Sequence, residues 1–380
     1  MYGSLSELMQ RSDIEREAET IADPIERLRY VRMATGTAQT ALRWTRRQLV
    51  GLGAAAGLAL AMRSDARHGT GGTARVTAAR AVPPPPADTI PNVWPVEQNA
   101  QYDLYSNGLR IENGLTVANE ARSYRLLFRQ TMEPGPQRSQ PAGIVFHTTE
   151  SDQAPFEAGQ KPALKRIGRE VLLFVRNKRA YHFVIDRFGR VHRIVAESDT
   201  ANHAGHSIWA DDRWIYVDLN DSFLGVAFEA SMHGEELVTP AQISAARALT
   251  EALRSKYRIA AVDCVTHAQV SVNPANRQIG WHTDWGSRFP FREIGLPDNY
   301  QIPNPSLYVF GFEYDPVYLN SSGEEVWKSL AAAEERVRQA AAERGIPLRQ
   351  YRGRLQENYA RARAGLSGRG KAEEIDNEQN

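Results

Sequence analysis

Between residues 143 and 267 short apolar runs alternate with longer stretches of helical period, and such a chain can bury its faces only as a layered α/β domain. Gly143-Ile144-Val145-Phe146-His147 has the texture of a buried strand and ends in the polar Thr148-Thr149-Glu150. Residues 161–176 place Leu164, Ile167, Val171, Phe174 and Val175 at helical spacing. Two further strands, 181–186 and 190–195, flank Arg187-Phe188-Gly189, a hairpin signal. After a strand over 224–232, Thr239-Pro240-Ala241-Gln242 joins a capping box to a proline at the first helical position. Ile243, Ala246, Leu249, Leu253 and Tyr257 then line one face of a helix. A last strand, 259–266, carries His267 at its end.

The flanks have other textures. Residues 49–62 carry no charge and directly follow Arg46-Arg47. A helix over them would span only about 21 Å, short of the ~30 Å hydrocarbon core, so the run reads as a signal h-region in preference to a full membrane span. Thr45-Arg46-Arg47-Gln48-Leu49-Val50 resembles a twin-arginine export signal, although Leu49 stands where phenylalanine is common, and Ala59-Leu60-Ala61 offers a small-x-small cleavage site. The expectation is an exported protein of the periplasm or cell envelope, with an uncleaved inner-membrane anchor as the alternative. The long stretch before the arginine pair suggests translation from Met33. The chain divides into an extension (1–48), the apolar run (49–62), a Pro/Gly-rich linker (63–93) ending in extended polyproline, a catalytic domain (94–300), a helical extension (301–367) and a disordered tail (368–380). In the extension Val326, Leu330, Ala333, Val337 and Ala341 line one helix, stopped by Gly345 and Pro347, and a second, Arg-rich helix follows from Leu348 to Leu366.

A formal net charge of +1 gives no field that would draw nucleic acid, so no nucleic-acid partner is expected. The single cysteine, Cys264, lies in an apolar stretch and reads as a small core residue. The histidines say more: of 9, all but His68 fall between His147 and His282, several at strand ends, where an α/β domain opens its site. Clustered His, Asp and Glu are what metal-assisted hydrolysis needs, because a catalytic zinc takes three protein ligands and keeps one position for water.

Six segments occur in order: Gly143–Thr149, Tyr181–Val191, Asn202-His203-Ala204-Gly205-His206-Ser207, Gly225–Glu229, Thr266-His267 and His282-Thr283-Asp284-Trp285-Gly286. Together, over roughly residues 120–295, they resemble the type 2 N-acetylmuramoyl-L-alanine amidase family, whose fold is shared with phage lysozyme-type amidases and peptidoglycan recognition proteins. The resemblance implies a mixed central β-sheet flanked by helices with zinc in a surface groove; the C-terminal helix pair read above adds to it, docking on that domain or binding another protein. It implies hydrolysis of the bond between the muramic acid lactyl group and L-alanine, with peptidoglycan or muropeptides as partner. By position it makes His147, His267 and Asp284 the zinc ligands, Glu229 the general base, and His282 and Tyr181 the groups that assist at the oxyanion and orient water or substrate. His203 and His206 are the expected substrate contacts. The family's lysine two residues before the third ligand is His282 here, which leaves His282 as an alternative ligand. The interval from His267 to Asp284 is long, as if 270–280 were inserted. Glu229 could instead be an ion-pair partner and Tyr181 a core residue, while His182, His192 and His233 read as structural. A non-catalytic peptidoglycan-binding module tethered in the envelope is the rival function, and nothing in the sequence sets the oligomeric state.

Overall fold

The computed structural model describes residues 14, 16–34, 89–232, 238–314 and 316–366. The arginine pair, the apolar run, most of the linker, His233 and the tail lie outside the described residues.

A mixed eight-stranded sheet forms the centre. Its spatial order is β1 (Pro95–Gln98), β2 (Tyr102–Tyr105), β3 (Arg110–Glu112), β8 (Val191–Arg193), β7 (Phe183–Ile185), β11 (Phe223–Phe228), β6 (Gly143–Thr148) and β12 (Cys264–Thr266). The last four are parallel, whereas β7 and β8 form the expected antiparallel hairpin. Every residue of β6 and β11 is buried, as parallel strands covered on both faces require. A second sheet, ordered β5 (Pro134–Arg138), β4 (Tyr124–Phe128), β10 (Trp214–Val217) and β9 (Ile208–Ala210), lies beside the first.

Of the helices, α1 spans 24–34, α2 Lys161–Lys178, α3 Leu219–Ser222, α4 Pro240–Tyr257, α5 His267–Val270, α6 Pro305–Phe310, α7 Pro316–Ser322, α8 Glu324–Glu343 and α9 Leu348–Leu366. The two long helices α2 and α4 cover opposite faces of the sheet. Leu172 and Val175 of α2 pack with Val184 and Ala227, while Ala246, Leu249 and Leu253 of α4 pack with Phe183, Ile185, Val226 and Phe228. Residues 183–185 and 226–228 thus divide between the two faces by the period of two that a strand imposes. The capping box of α4 is formed: Gln242 N donates to Thr239 Oγ1 at 3.2 Å, and Thr239 N donates to Gln242 Oε1 at 3.0 Å. The buried face of α2 is rotated from the expected one. Leu164, Gly168, Leu172 and Val175 point inward, and Phe174 stands exposed with Lys178 near its ring.

The chain after residue 300 is built onto this domain. In α8, Val326, Leu330, Ala333, Val337 and Ala341 are buried as their spacing predicts, and Arg352 of α9 pairs with Glu334 of α8. A small third sheet joins β13 (Val272–Asn273) and β14 (Gln278–Ile279) to β15 (Glu313–Tyr314). Helix α1 completes the body. Asp23 Oδ1 caps it by accepting from Ile25 N and Glu26 N at 2.8 and 2.9 Å, and Arg29 pairs with Glu324. Leu28 is buried in the main core, a contribution of about 1.5–3 kcal/mol by the usual scale for such a side chain. The alternative start at Met33 falls inside this helix and would remove Leu28.

Candidate metal centre

Three parts of the fold deliver three side chains to one point. His147 is the penultimate residue of buried strand β6, opposite Ala227 of β11. His267 begins α5 immediately after β12, where Thr266 caps the turn and its N–H donates to Gln269 Oε1 at 3.0 Å. Asp284 lies in the loop after β14, held by its own backbone carbonyl, which accepts from Ala268 N at 2.7 Å. Asp284 Oδ2 is 3.1 Å from His147 Nδ1 and Oδ1 is 2.9 Å from His267 Nδ1. One ligand atom from each of the three residues falls within 4.8 Å of the others.

The protonation states suit a divalent cation. Burial, reinforced by His267, lowers the His147 pKa to about 4, which leaves a neutral imidazole at pH 7. Burial works against ionisation of Asp284, but the adjoining His267 and the hydrogen bonds from both imidazoles hold its carboxyl far below the usual range. Neutral imidazole and ionised carboxylate are the forms that bind metal without first losing a proton. His147 and His267 both turn Nδ1 toward the Asp284 carboxylate, so one ion there would meet a nitrogen from each ring and a carboxylate oxygen. Two imidazoles and a carboxylate are a zinc donor set, so the residues fit that ion.

Other expected site residues surround this cluster. His203 Nδ1 is 3.1 Å from His147 Nε2, on the side of the ring away from Asp284. Its backbone is fixed by Asn220, whose Oδ1 accepts from the N–H groups of His203, Ala204 and Gly205 at 2.9, 2.7 and 3.1 Å. The ring lies against Gly225 of β11, where a Cβ would come within 2.6 Å of His203 Cγ. His282 is exposed and stacks on His267 at 4.6 Å between ring centroids and 19° between planes. Tyr181 adopts a left-handed φ of 62°, places its ring centroid 5.0 Å from that of His147 and donates to the Thr148 carbonyl at 3.4 Å. His206 is exposed, with Nδ1 3.8 Å from Asp218.

The Glu229 carboxylate makes its contacts with Arg187 and with helix α2. It accepts from Arg187 N at 3.2 Å and faces Gly168 of α2, where a Cβ would lie 3.3 Å from Oε1. Burial raises its pKa, partly countered by the Arg187 amide. Of the histidines read as structural, His192 contacts Asp186 at 3.2 Å, and His182 Nδ1 accepts from Gly225 N at 2.9 Å.

Some residues that build the site went unread in the sequence. Buried Arg122 donates to the carbonyls of Glu197, Asp221, Phe223 and Asp199 and lies 2.7 Å from His182 Nε2. Burial lowers its pKa to about 10. No local pattern marks such an arginine. Gly225 did leave a signal, since a lone glycine within an apolar strand often marks a close approach.

Residues 137–287 match the family model for N-acetylmuramoyl-L-alanine amidase. No curated protein matches the chain. Among solved structures, the amidase LysC from Clostridium intestinale URNW aligns at a TM-score of 0.27 and 24% identity, over 47% of this chain and 93% of that one. The E. coli amidase AmiD, in complex with anhydro-N-acetylmuramic acid-L-Ala-D-gamma-Glu-L-Lys, aligns at 0.33 and 17%, over 62% and 97%. Drosophila peptidoglycan recognition protein SD aligns at 0.24 and 18%, over 35% and 73%.

Proposed function

We propose that this chain, whose residues 137–287 fall in the N-acetylmuramoyl-L-alanine amidase family, is a zinc-dependent hydrolase of the cell envelope. The bond it cuts joins the lactyl group of N-acetylmuramic acid to L-alanine, in peptidoglycan or its muropeptide fragments. The observation that carries this reading is the convergence of His147, His267 and Asp284, three residues from separate elements, on one point with a metal-ready donor set.

His147, His267 and Asp284 would hold the ion. Bound there, zinc supplies a water that ionises near neutral pH and a Lewis acid for the scissile carbonyl. Glu229 accepts the proton of the attacking water and returns it to the departing alanine nitrogen, a double duty that suits a carboxyl raised by burial toward the working pH. His282, exposed beside His267, donates to the carbonyl oxygen as charge develops on it. Tyr181, whose ring lies beside that of His147, orients water or substrate, and exposed His206 contacts the glycan or stem peptide. His203, whose Nδ1 is engaged by His147, supports the metal ligand. The arginine pair at 46–47 and the apolar run after it support export.

The test is digestion of purified sacculi and of soluble muropeptides, with products analysed by mass. The expected products are stem peptides with a free L-alanine amine and glycan with an intact lactyl group, both abolished by chelation and restored by zinc. Peptidoglycan binding without cleavage by the zinc-loaded protein would reject the reading in favour of a recognition module.

A further inference from the structure

The loop that brings Asp284 to the cluster is anchored by the chain after residue 300. On one side, β14 pairs in parallel with β15, matching Gln278 to Glu313 and Ile279 to Tyr314. Where β14 ends, Gly280 takes a φ of 84° directly against the ring of Tyr318, so close that a Cβ would stand 2.0 Å from Tyr318 Cδ2. Tyr318, in α7, is buried, and its hydroxyl donates to the Ala268 carbonyl at 2.6 Å. Ala268 follows His267, and its own N–H donates to the Asp284 carbonyl at 2.7 Å. One side chain therefore touches both segments that carry candidate ligands. Just past Asp284 the same pattern repeats: Ser287 N donates to the Ser322 carbonyl at 2.6 Å, and Val326 N donates to Ser287 Oγ at 3.0 Å. A Cβ on Gly286 would meet Ser322 O at 2.7 Å.

We propose that α7 and the start of α8 form a positioning element of the metal centre, with Tyr318 the positioning residue that sets His267 and Asp284 at the spacing the ion requires. The inference rests on the metal-centre reading above. Metal affinity depends on supports behind the ligands, whose loss typically costs 10- to 100-fold. A ligand on a loop has more to lose than one on a strand, because little else fixes it.

The experiment titrates Zn²⁺ into the full chain against a competing chelator and records the absorption spectrum of the Co²⁺-loaded protein, with thermal melts to confirm folding. Tyr318→Leu should weaken Zn²⁺ binding about 10- to 100-fold and shift the Co²⁺ ligand-field bands. Tyr318→Phe, which keeps the ring on Gly280 and loses the hydroxyl that donates to Ala268, should weaken it about 2- to 10-fold. If the leucine variant does not fold, the phenylalanine variant carries the test alone. Zn²⁺ affinity and Co²⁺ spectrum unchanged in the folded variants, with wild type binding zinc, would overturn this inference and leave the metal centre standing. Wild type that bound no Zn²⁺ would overturn both.

Discussion

The Nε2 atom of His147 lies 3.1 Å from Nδ1 of His203, while Nδ1 of the same His147 ring faces Asp284 at the same distance. A ring so placed cannot turn without breaking one contact or the other. Burial and the neighbouring His147 hold His203 well below the usual histidine pKa, so its ring is neutral. His203→Ala should weaken zinc binding about 10- to 100-fold, measured by chelator competition. Gly225→Ala should do the same by displacing the ring from β11. Wild-type affinity in both would reduce the contact to packing.

His147→Ala and His267→Ala should each lose zinc and activity together, because two remaining ligands hold a catalytic zinc poorly. Metal analysis of purified protein checks this. Chelation of the wild type should also lower its melting temperature, since an ion that binds only the folded state adds to its stability. Stoichiometric zinc in both variants would remove these residues from the ligand set.

Glu229→Gln should keep the metal and lose about 10²- to 10⁴-fold in turnover, the range for removing a general base. Because burial raises the Glu229 pKa above its ordinary 4.5, activity in the wild type should fall as pH drops through a value above that. A pH–rate profile whose acid limb is the same in wild type and Glu229→Gln would give the residue a structural role.

Asp263 makes a separate prediction about stability. Burial pushes its carboxyl up to about 7, even though Trp209 Nε1 donates to it at 2.9 Å. A carboxyl raised in the folded state contributes stability below its unfolded value near 3.8 and loses that contribution as pH rises through about 7. The urea midpoint of the wild type should therefore decline between about pH 4 and pH 7 through this group. Asp263→Asn, which still accepts from Trp209, should flatten that decline, and an unchanged slope would count against it.

What could be read in the sequence follows from how local its cause is. Helix α4 was legible because its capping box and its apolar face lie within one stretch of chain, and α8 because its apolar period is uninterrupted. His147 and His267 were visible as polar residues closing apolar strands. Strand β5, with the sequence PGPQR and mostly exposed residues, has none of the strand signals and exists through its pairing with β4. Phe174 reads as inward because it is apolar, yet Gly168 takes the inward position, where there is room for the Glu229 carboxylate. Residues 270–280 read as an inserted loop because β13 and β14 are too short to show a strand period and their sheet is completed by distant Glu313–Tyr314. His203 looked like a loop residue facing substrate, since nothing in Asn202–Ser207 reports the glycine on β11 that makes space for its ring.

The docking of α1 bears on the geography of the chain. Leu28 and Arg29 lie on one side of residues 35–88 in sequence and β1 lies on the other, yet all belong to the same packed body. To set those two flanks on opposite faces of a bilayer, Leu28 would have to leave its core and Arg29 would have to part from Glu324. A cut between them would leave α1 held without a covalent link, by the burial of Leu28 and the Arg29–Glu324 pair. Whichever compartment receives the catalytic sheet in this packed form receives α1 with it.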